Sequence, residues 1–334
     1  MADRKLEVYK DAETVALAAA QRTLLAILDG LSECDKSGKG DAGAKPIRSR
    51  YDVALTGGSD ILRALTYMAS NPLVDAIDWT RVHFWWGDDR FVAATDEDRS
   101  SWQARQRFLD KLVADGRLPE ANIHEMATDT RTPEQVAAAS DEENKALVVK
   151  AAADYDSALK RELGDEPAMD LLILGMGPDG HFASLFPGHD EIRIGASAPH
   201  TANVNGSNET STGTAACVSS NLNPSAGANT EARVSAEIDT RTDTSAEVTG
   251  TDSSTYPLAA GVTHSPKMPP LRVSMTAPML ARSRRTWMLT CGAGKADATA
   301  AVFASANNPA YPASFAAGTE EFAWFTTPDA VAKL

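Results

Sequence analysis

Apolar residues recur along the chain in two rhythms. Short runs at residues 6–9, 51–55, 81–86, 169–174, 272–276 and 286–291 have the length and composition of β-strands. Segments at 12–28, 60–69, 100–113, 134–163 and 295–305 instead repeat their apolar positions every three to four residues, which predicts amphipathic helices. The 134–163 segment is Ala-rich and reads as one long helix or a helix pair. Strands alternating with helices predict an α/β fold with a Rossmann-like, mostly parallel sheet flanked by helices. The run at 169–174 is apolar throughout and stops at Gly175, as a strand buried on both faces does.

Several of these strands end in the same way. Residues 51–55 run into Thr56-Gly57-Gly58-Ser59 and then a helix, a junction that offers backbone N–H groups and a positive dipole end to an anion. A plain turn is the competing reading there. Residues 286–291 lead into Gly292-Ala293-Gly294-Lys295 and another helix, with a lysine at the mouth. Residues 81–86 end in the charged cluster Gly87-Asp88-Asp89-Arg90-Phe91-Val92. Open α/β sheets bind ligands beyond the carboxyl ends of their strands, so these turns are where chemistry is expected.

The stretch from Met169 to His189 carries the strongest signal. Gly175-Met176-Gly177-Pro178-Asp179-Gly180 matches the G-x-G-x-x-G dinucleotide pattern, but that motif requires a long helix next. Pro187 and Gly188 arrive too early for one. What remains is a glycine turn that delivers Asp179 and His181, a carboxylate and an imidazole two residues apart. An ordinary surface histidine is the bland alternative. A histidine oriented by an aspartate is the chemical one.

Composition narrows the class. At 334 residues and 43% hydrophobic content the chain can bury a sizeable core. A net charge of −14 argues against nucleic acid and anionic membrane as partners, so an anionic ligand needs a local basic cluster. No apolar run is expected to reach a membrane span, and the N-terminus lacks the apolar core of a signal peptide. Cys34, Cys217 and Cys291 are widely spaced, which suits a reducing cytoplasm and argues against a cysteine-based metal site. From about 195 to 255 the chain turns to Ser, Thr, Asn, Ala and Gly. Such composition predicts a flexible, inert insertion in a single 1–334 domain.

Four blocks together resemble the 6-phosphogluconolactonases of the glucosamine-6-phosphate isomerase/deaminase group. They are Thr56–Ser59, Gly87–Val92, the run from Gly175 to Gly188, and Pro269-Pro270-Leu271-Arg272-Val273 followed by Gly292–Ala296. The resemblance covers most of the chain outside the insertion, and its third block is the specific one. It implies hydrolysis of 6-phospho-D-glucono-1,5-lactone to 6-phosphogluconate, the second step of the oxidative pentose phosphate pathway. His181 is the expected water-activating base and Asp179 its orienting partner. Arg90 is expected to stabilise charge developing at C1. Gly57, Gly58 and Ser59 are expected to cradle the 6-phosphate, with Lys295 and, more weakly, Arg272 supplying charge. The resemblance implies a small phosphosugar lactone as the ligand, with no cofactor and no metal.

The same block separates this reading from its neighbours. Similar isomerases carry a glutamate five residues after the histidine. Phe186 stands there, and an aromatic ring moves no proton. A non-catalytic sugar-phosphate sensor is the reading from another class, opposed by the retained Asp179, His181 and Arg90. The chain also departs from its relatives at Asp60, where Ser/Thr-Pro commonly follows Gly-Gly-Ser, and at Asp89, usually glutamate. Ser101 and Phe182 replace a common asparagine and a common threonine.

Overall fold

The computed structural model describes residues 2–37, 49–195 and 256–334. The described part of the 195–255 insertion is therefore Gly195 alone, and its expected flexibility lies outside the described residues. Ten strands and eight α-helices alternate among those residues. In chain order they begin with β1 (Arg4–Val8), α1 (Ala12–Ser37), β2 (Tyr51–Leu55), α2 (Ser59–Ala69), β3 (Val82–Trp86) and β4 (Asp88–Arg90). A π-helical turn over Arg105–Leu109 then joins α3 (Ser100–Ala104) to α4 (Asp110–Ala114), followed by β5 (Ile123–His124). The predicted 134–163 helix is a pair, α5 (Pro133–Ala138) and α6 (Asp141–Leu163), each opened by a capping box, at Thr132 and Ser140 respectively. The rest comprises β6 (Leu171–Gly175), β7 (Ala259–Val262), β8 (Arg272–Met275), α7 (Ala277–Ala281), β9 (Arg285–Thr290), α8 (Ala296–Ala304) and β10 (Glu321–Thr326).

Seven strands form one parallel sheet in the order β1-β10-β9-β6-β2-β3-β5. Every residue of β2 is buried, as are Leu171 to Leu174 of β6. Because successive side chains point to opposite faces, helices must cover both sides of these central strands. From β2 the chain builds outward through β3 and β5, then returns so that β6 lies on the other flank of β2. That reversal is a topological switch point, and it leaves a crevice beyond the carboxyl ends of β2 and β6.

Two strands lie outside the predicted set for this sheet. β10 inserts between β1 and β9, and its Phe322, Trp324 and Phe325 join the core. β5 is only two residues long and stops short of Trp86. The Tyr155 hydroxyl of α6 substitutes for the missing strand: it accepts from Trp86 N at 2.9 Å and donates to Trp86 O at 3.0 Å. No buried backbone group at that strand end is left unpaired.

Helix α1 corrects one expectation. Ala12–Asp35 is long and apolar enough, by length and composition, to cross a bilayer. In the fold it supplies Val15, Ala16, Ala19, Ala20, Leu24 and Ile27 to the core instead. Its apolarity is that of a helix packed against both the sheet and α2.

A second, antiparallel sheet of β4, β8 and β7 sits past the end of β3. It starts at Asp88, separated from Trp86 only by Gly87, whose N–H still bonds to Leu55 O in the main sheet. This small sheet matters because its register sets Arg90 directly opposite Arg272. Its outer strand β7 leans on α6 through Gly261, where an added Cβ would lie 2.6 Å from the carbonyl of Val148. Both atoms of that contact belong to rigid backbone. Gly261→Ala is therefore expected to cost about 1–3 kcal/mol by overpacking. The check is urea denaturation: the midpoint should fall with an unchanged slope, and an unaltered midpoint would show that β7 and α6 have room to part.

Candidate active site

A cleft of about 300 Å³ opens at the switch point. It is walled by Thr56 to Ile61 after β2, Asp88 and Arg90 of β4, and Gly175 to Gly177 with His181 after β6. Lys267, Met268 and Arg272 close it from the small sheet, and Leu289, Cys291 and Lys295 from β9 and the turn beyond. Of the expected site residues, Gly57, Gly58, Ser59, Arg90, His181, Arg272 and Lys295 line this cleft directly, and Asp179 touches it through His181.

The turn after β6 is folded back tightly on itself. Gly177 N–H donates to His181 O at 2.9 Å, and Gly180 N–H donates to Gly177 O at 3.0 Å. Gly180 takes φ of 78°, a region that favours glycine. The outcome is that the His181 ring and the Asp179 carboxylate fold over Gly177. A Cβ there would fall 2.0 Å from the imidazole and 2.3 Å from Asp179 Oδ1. The two side chains meet at 2.5 Å, Nδ1 to Oδ1. An ionised carboxylate accepts only, so Nδ1 carries the proton and Nε2 is left as the basic nitrogen.

Phe186 lies fully buried beneath the histidine, with ring centroids 4.6 Å apart. This burial lowers the His181 pKa below its ordinary range. Asp179 pulls it back upward, and the positive charge of Lys267 adds to the fall. For Asp179 burial acts to raise the pKa, but the hydrogen bond from His181 and the nearby positive charges outweigh it and hold the carboxyl well below its usual range. The pair thus consists of an anionic carboxylate and a neutral imidazole at neutral pH.

Arg90 is fixed at the opposite wall. One of its terminal nitrogens donates to Asp98 O and to Ser100 Oγ, both at 2.8 Å, while its buried Nε has no hydrogen-bond partner among the described residues. Gly57 passes so close that a Cβ would sit 2.9 Å from the guanidinium and 2.4 Å from Ser100 Oγ. Asp89 does not enter the cleft. It is buried, and it accepts from the backbone N–H of Arg90, Ser100 and Ser101 while facing Arg99 at 3.6 Å. The acid therefore caps the start of α3 and ties it to β4. Burial raises its pKa, against the pull of Arg99 and the backbone donors. Ser101, like Asp89, is buried and reaches the site only through this cap.

Gly58 caps α2 with φ of 123° and without any side-chain hydrogen bond, so the N–H groups of the first turn face the cleft uncapped. Asp60 in that turn is ion-paired to Arg63 at 3.1 Å, which offsets the repulsion it would exert on an anion. Lys295 reaches across from the β9 turn and donates to Met176 O. Arg272 is almost wholly buried, and its guanidinium is engaged by Lys267 O at 3.0 Å, Met268 O at 3.2 Å and Pro269 O at 3.2 Å. It contributes charge to the floor and clamps the loop that carries Lys267. Asp88 is buried nearby and accepts from Ser184 Oγ at 2.6 Å. Burial and the Asp60 carboxylate push the Cys291 thiol up to about 12, so it is no nucleophile at neutral pH.

Lys267 was absent from the sequence-predicted site. Its ammonium lies 3.2 Å from His181 Nδ1 and 3.6 Å from Asp179 Oδ1. The sequence signal was a lone lysine in the proline-rich loop Ser265-Pro266-Lys267-Met268-Pro269-Pro270, just before Arg272. Phe182 is buried and forms a bridge to Met176, so it braces the turn from behind.

Comparison with known proteins identifies the family. A sequence model described as glucosamine-6-phosphate isomerases/6-phosphogluconolactonase matches residues 40–220 and 245–324. A 6-phosphogluconolactonase of Streptomyces coelicolor is 30% identical over 99% of this chain and 94% of its own length. One of Mycobacterium leprae is 28% identical over 98% of each chain. The solved 6-phosphogluconolactonase of Trypanosoma brucei superposes with a TM-score of 0.65 at 17% identity, covering 99% of both chains. A monomeric glucosamine-6-phosphate deaminase superposes at 0.56 with 12% identity, over 99% of this chain and 100% of that one, so the fold is common to both activities. With a match over most of its length, the chain belongs to the glucosamine-6-phosphate isomerase/6-phosphogluconolactonase family.

Proposed function

We propose that this chain hydrolyses 6-phospho-D-glucono-1,5-lactone to 6-phosphogluconate, in the oxidative pentose phosphate pathway. The observation that carries the reading is the uncharged His181, tied to Asp179 through Nδ1 and backed by Phe186, in a cleft lined by Arg90, Lys267, Arg272 and Lys295. Such a concentration of cations in a chain of net charge −14 suits an anionic ligand. Full-length relatives that bear the lactonase name support the choice within the family. Phe186 supports it too, because the isomerase-type glutamate is missing from the one position where it would face the histidine.

In this reading the 6-phosphate rests on the N-terminal turn of α2, at Gly57, Gly58 and Ser59, with Lys295 completing its charge balance and Arg272 strengthening the field from below. The lactone carbonyl then faces Arg90. His181 Nε2 removes a proton from water as the oxygen adds to C1, and Asp179 stabilises the imidazolium that forms. Arg90 meets the negative charge that moves to the carbonyl oxygen. Collapse of the tetrahedral intermediate breaks the bond from C1 to the ring oxygen. The imidazolium returns its proton to that oxygen, and the site is reset. The widely spaced cysteines suit a reducing compartment, and we place the protein in the cytoplasm.

Freshly generated lactone, with spontaneous hydrolysis subtracted, provides the assay. His181→Ala is expected to lower kcat by about 10²-fold or more while thermal unfolding stays near that of the wild type. Turnover that survives the change would remove His181 from the mechanism. Binding of 6-phosphogluconate with no wild-type turnover would instead favour a sensor. Gly177→Ala should also lose at least about 10²-fold, because the methyl group would occupy the space of the His181–Asp179 contact and a small displacement of reacting groups is costly.

The acid limb of kcat/KM gives an independent check. A general base works when deprotonated, so the rate must rise with pH through the pKa of free His181. Burial lowers that pKa, which puts the midpoint below the ordinary histidine value of about 6.5 and leaves activity on its plateau at pH 7. A midpoint above the ordinary value would contradict the buried, neutral imidazole.

A further inference from the structure

Lys267 comes from a loop 86 residues away in sequence and stops beside the protonated nitrogen of His181. Neither group can accept from the other there: Nδ1–H and the ammonium are both donors, and the oxygen they share is Asp179 Oδ1. The loop is not free to drift. Arg272 grips the carbonyls of Lys267 and Met268, and Ser265 Oγ both donates to Lys267 O and accepts from Lys267 N. A cation is thereby held against the base on the side away from its reactive nitrogen.

We propose that Lys267 is a positioning residue for the His181–Asp179 pair, its ammonium pinning the shared carboxylate oxygen and favouring the uncharged imidazole. The inference rests on the hydrolase reading for its purpose, though not for its measurement. Two effects act in the same direction. A positive charge next to the ring opposes a second one on it. Competition for Asp179 Oδ1 also weakens the pull that the carboxylate exerts on the Nδ1 proton. The other charged groups around the pair are Asp88 of β4, which favours protonation of His181, and Arg90, Arg272 and Lys295, which share a repulsion with Lys267. Asp88 is already engaged by Ser184, so Lys267 is the cation in direct contact with the pair.

The test follows the His181 ring by NMR across a pH titration, with its resonance identified among the six histidines by its loss in His181→Gln. In Lys267→Met the titration midpoint is expected to rise by on the order of one pH unit, and Lys267→Arg should restore the wild-type value. Lys267→Gln serves as a second neutral variant should the first fail to fold, with the His83 and His124 resonances as the internal control for the fold. The acid limb of kcat/KM should move up in step with the resonance. An unchanged midpoint in the folded neutral variants overturns the proposal, and a rise in KM with that unchanged midpoint would make Lys267 a substrate contact instead. Absence of lactone turnover in the wild type would overturn the hydrolase reading while the ring titration still decides the role of Lys267.

Discussion

The site depends on one close approach: the Asp179 carboxylate and the His181 imidazole meeting above a residue that has no side chain. The hydrogen bond between them fixes the tautomer, and it exists only because Gly177 leaves the volume that both side chains occupy. Gly177 in turn is held by its N–H bond to His181 O, so the turn closes on itself around the pair. β6 contributes the rigid base from which this turn rises, buried through Leu174 and hydrogen-bonded on both flanks. Phe186 excludes water from beneath the ring. Backbone sterics, sheet topology and burial thus all converge on a single nitrogen.

Electrostatics adds a second layer, in which most groups near the cleft have been given tasks that keep them from interfering. Three carboxylates stand close to a region suited to an anion, and each is neutralised locally: Asp60 by Arg63, Asp88 by Ser184 and the adjacent Arg272, Asp89 by helix N–H groups and Arg99. The basic groups are restrained as well. Lys295 holds Met176 O, Arg272 holds its loop, and Arg90 is braced by Asp98 and Ser100. Cations whose positions are set in advance lose little on binding, which is the condition for strong charge stabilisation in a low-dielectric cleft.

Much of this was legible in the sequence, and the reason is local. Thr56–Ser59, Asp179, His181 and Arg90 lie within a few residues of a strand end, so the pattern that reveals the strand also reveals the site. Lys295 was visible in the same way, at the turn after 286–291, and the resemblance added Arg272. What was not legible depends on contacts between distant segments. Lys267 acquires its meaning only when the β7–β8 hairpin folds over the β6 turn, and nothing in its neighbours announces that. The cap made by Asp89 needs α3 to come back to β4, and the short β4 itself is visible only through its partner β8. The run from Glu321 to Thr326 is aromatic and apolar enough to read as a strand, but its place between β1 and β9 is a matter of topology. α1 is the helix that the spacing at 12–28 predicts; that its length and composition would also suit a span was not expected, and its burial in the α/β layers accounts for that apolarity.

The edge strand β1 has a consequence for how the molecule is made. Its sole partner in the sheet is β10, the last strand of the ten, and Arg4 packs its guanidinium over Phe303, Phe322 and Trp324. The loop closed by that pairing is therefore nearly as long as the chain, and contacts of this range are slow to form because the closure entropy comes first. During synthesis β1 emerges ahead of the other nine described strands and has no sheet partner until β10 follows. The β2–β3 pair is close in sequence, whereas β6 against β9 and β1 against β10 bridge much longer separations. Translation order and sheet order run in opposite senses at this edge.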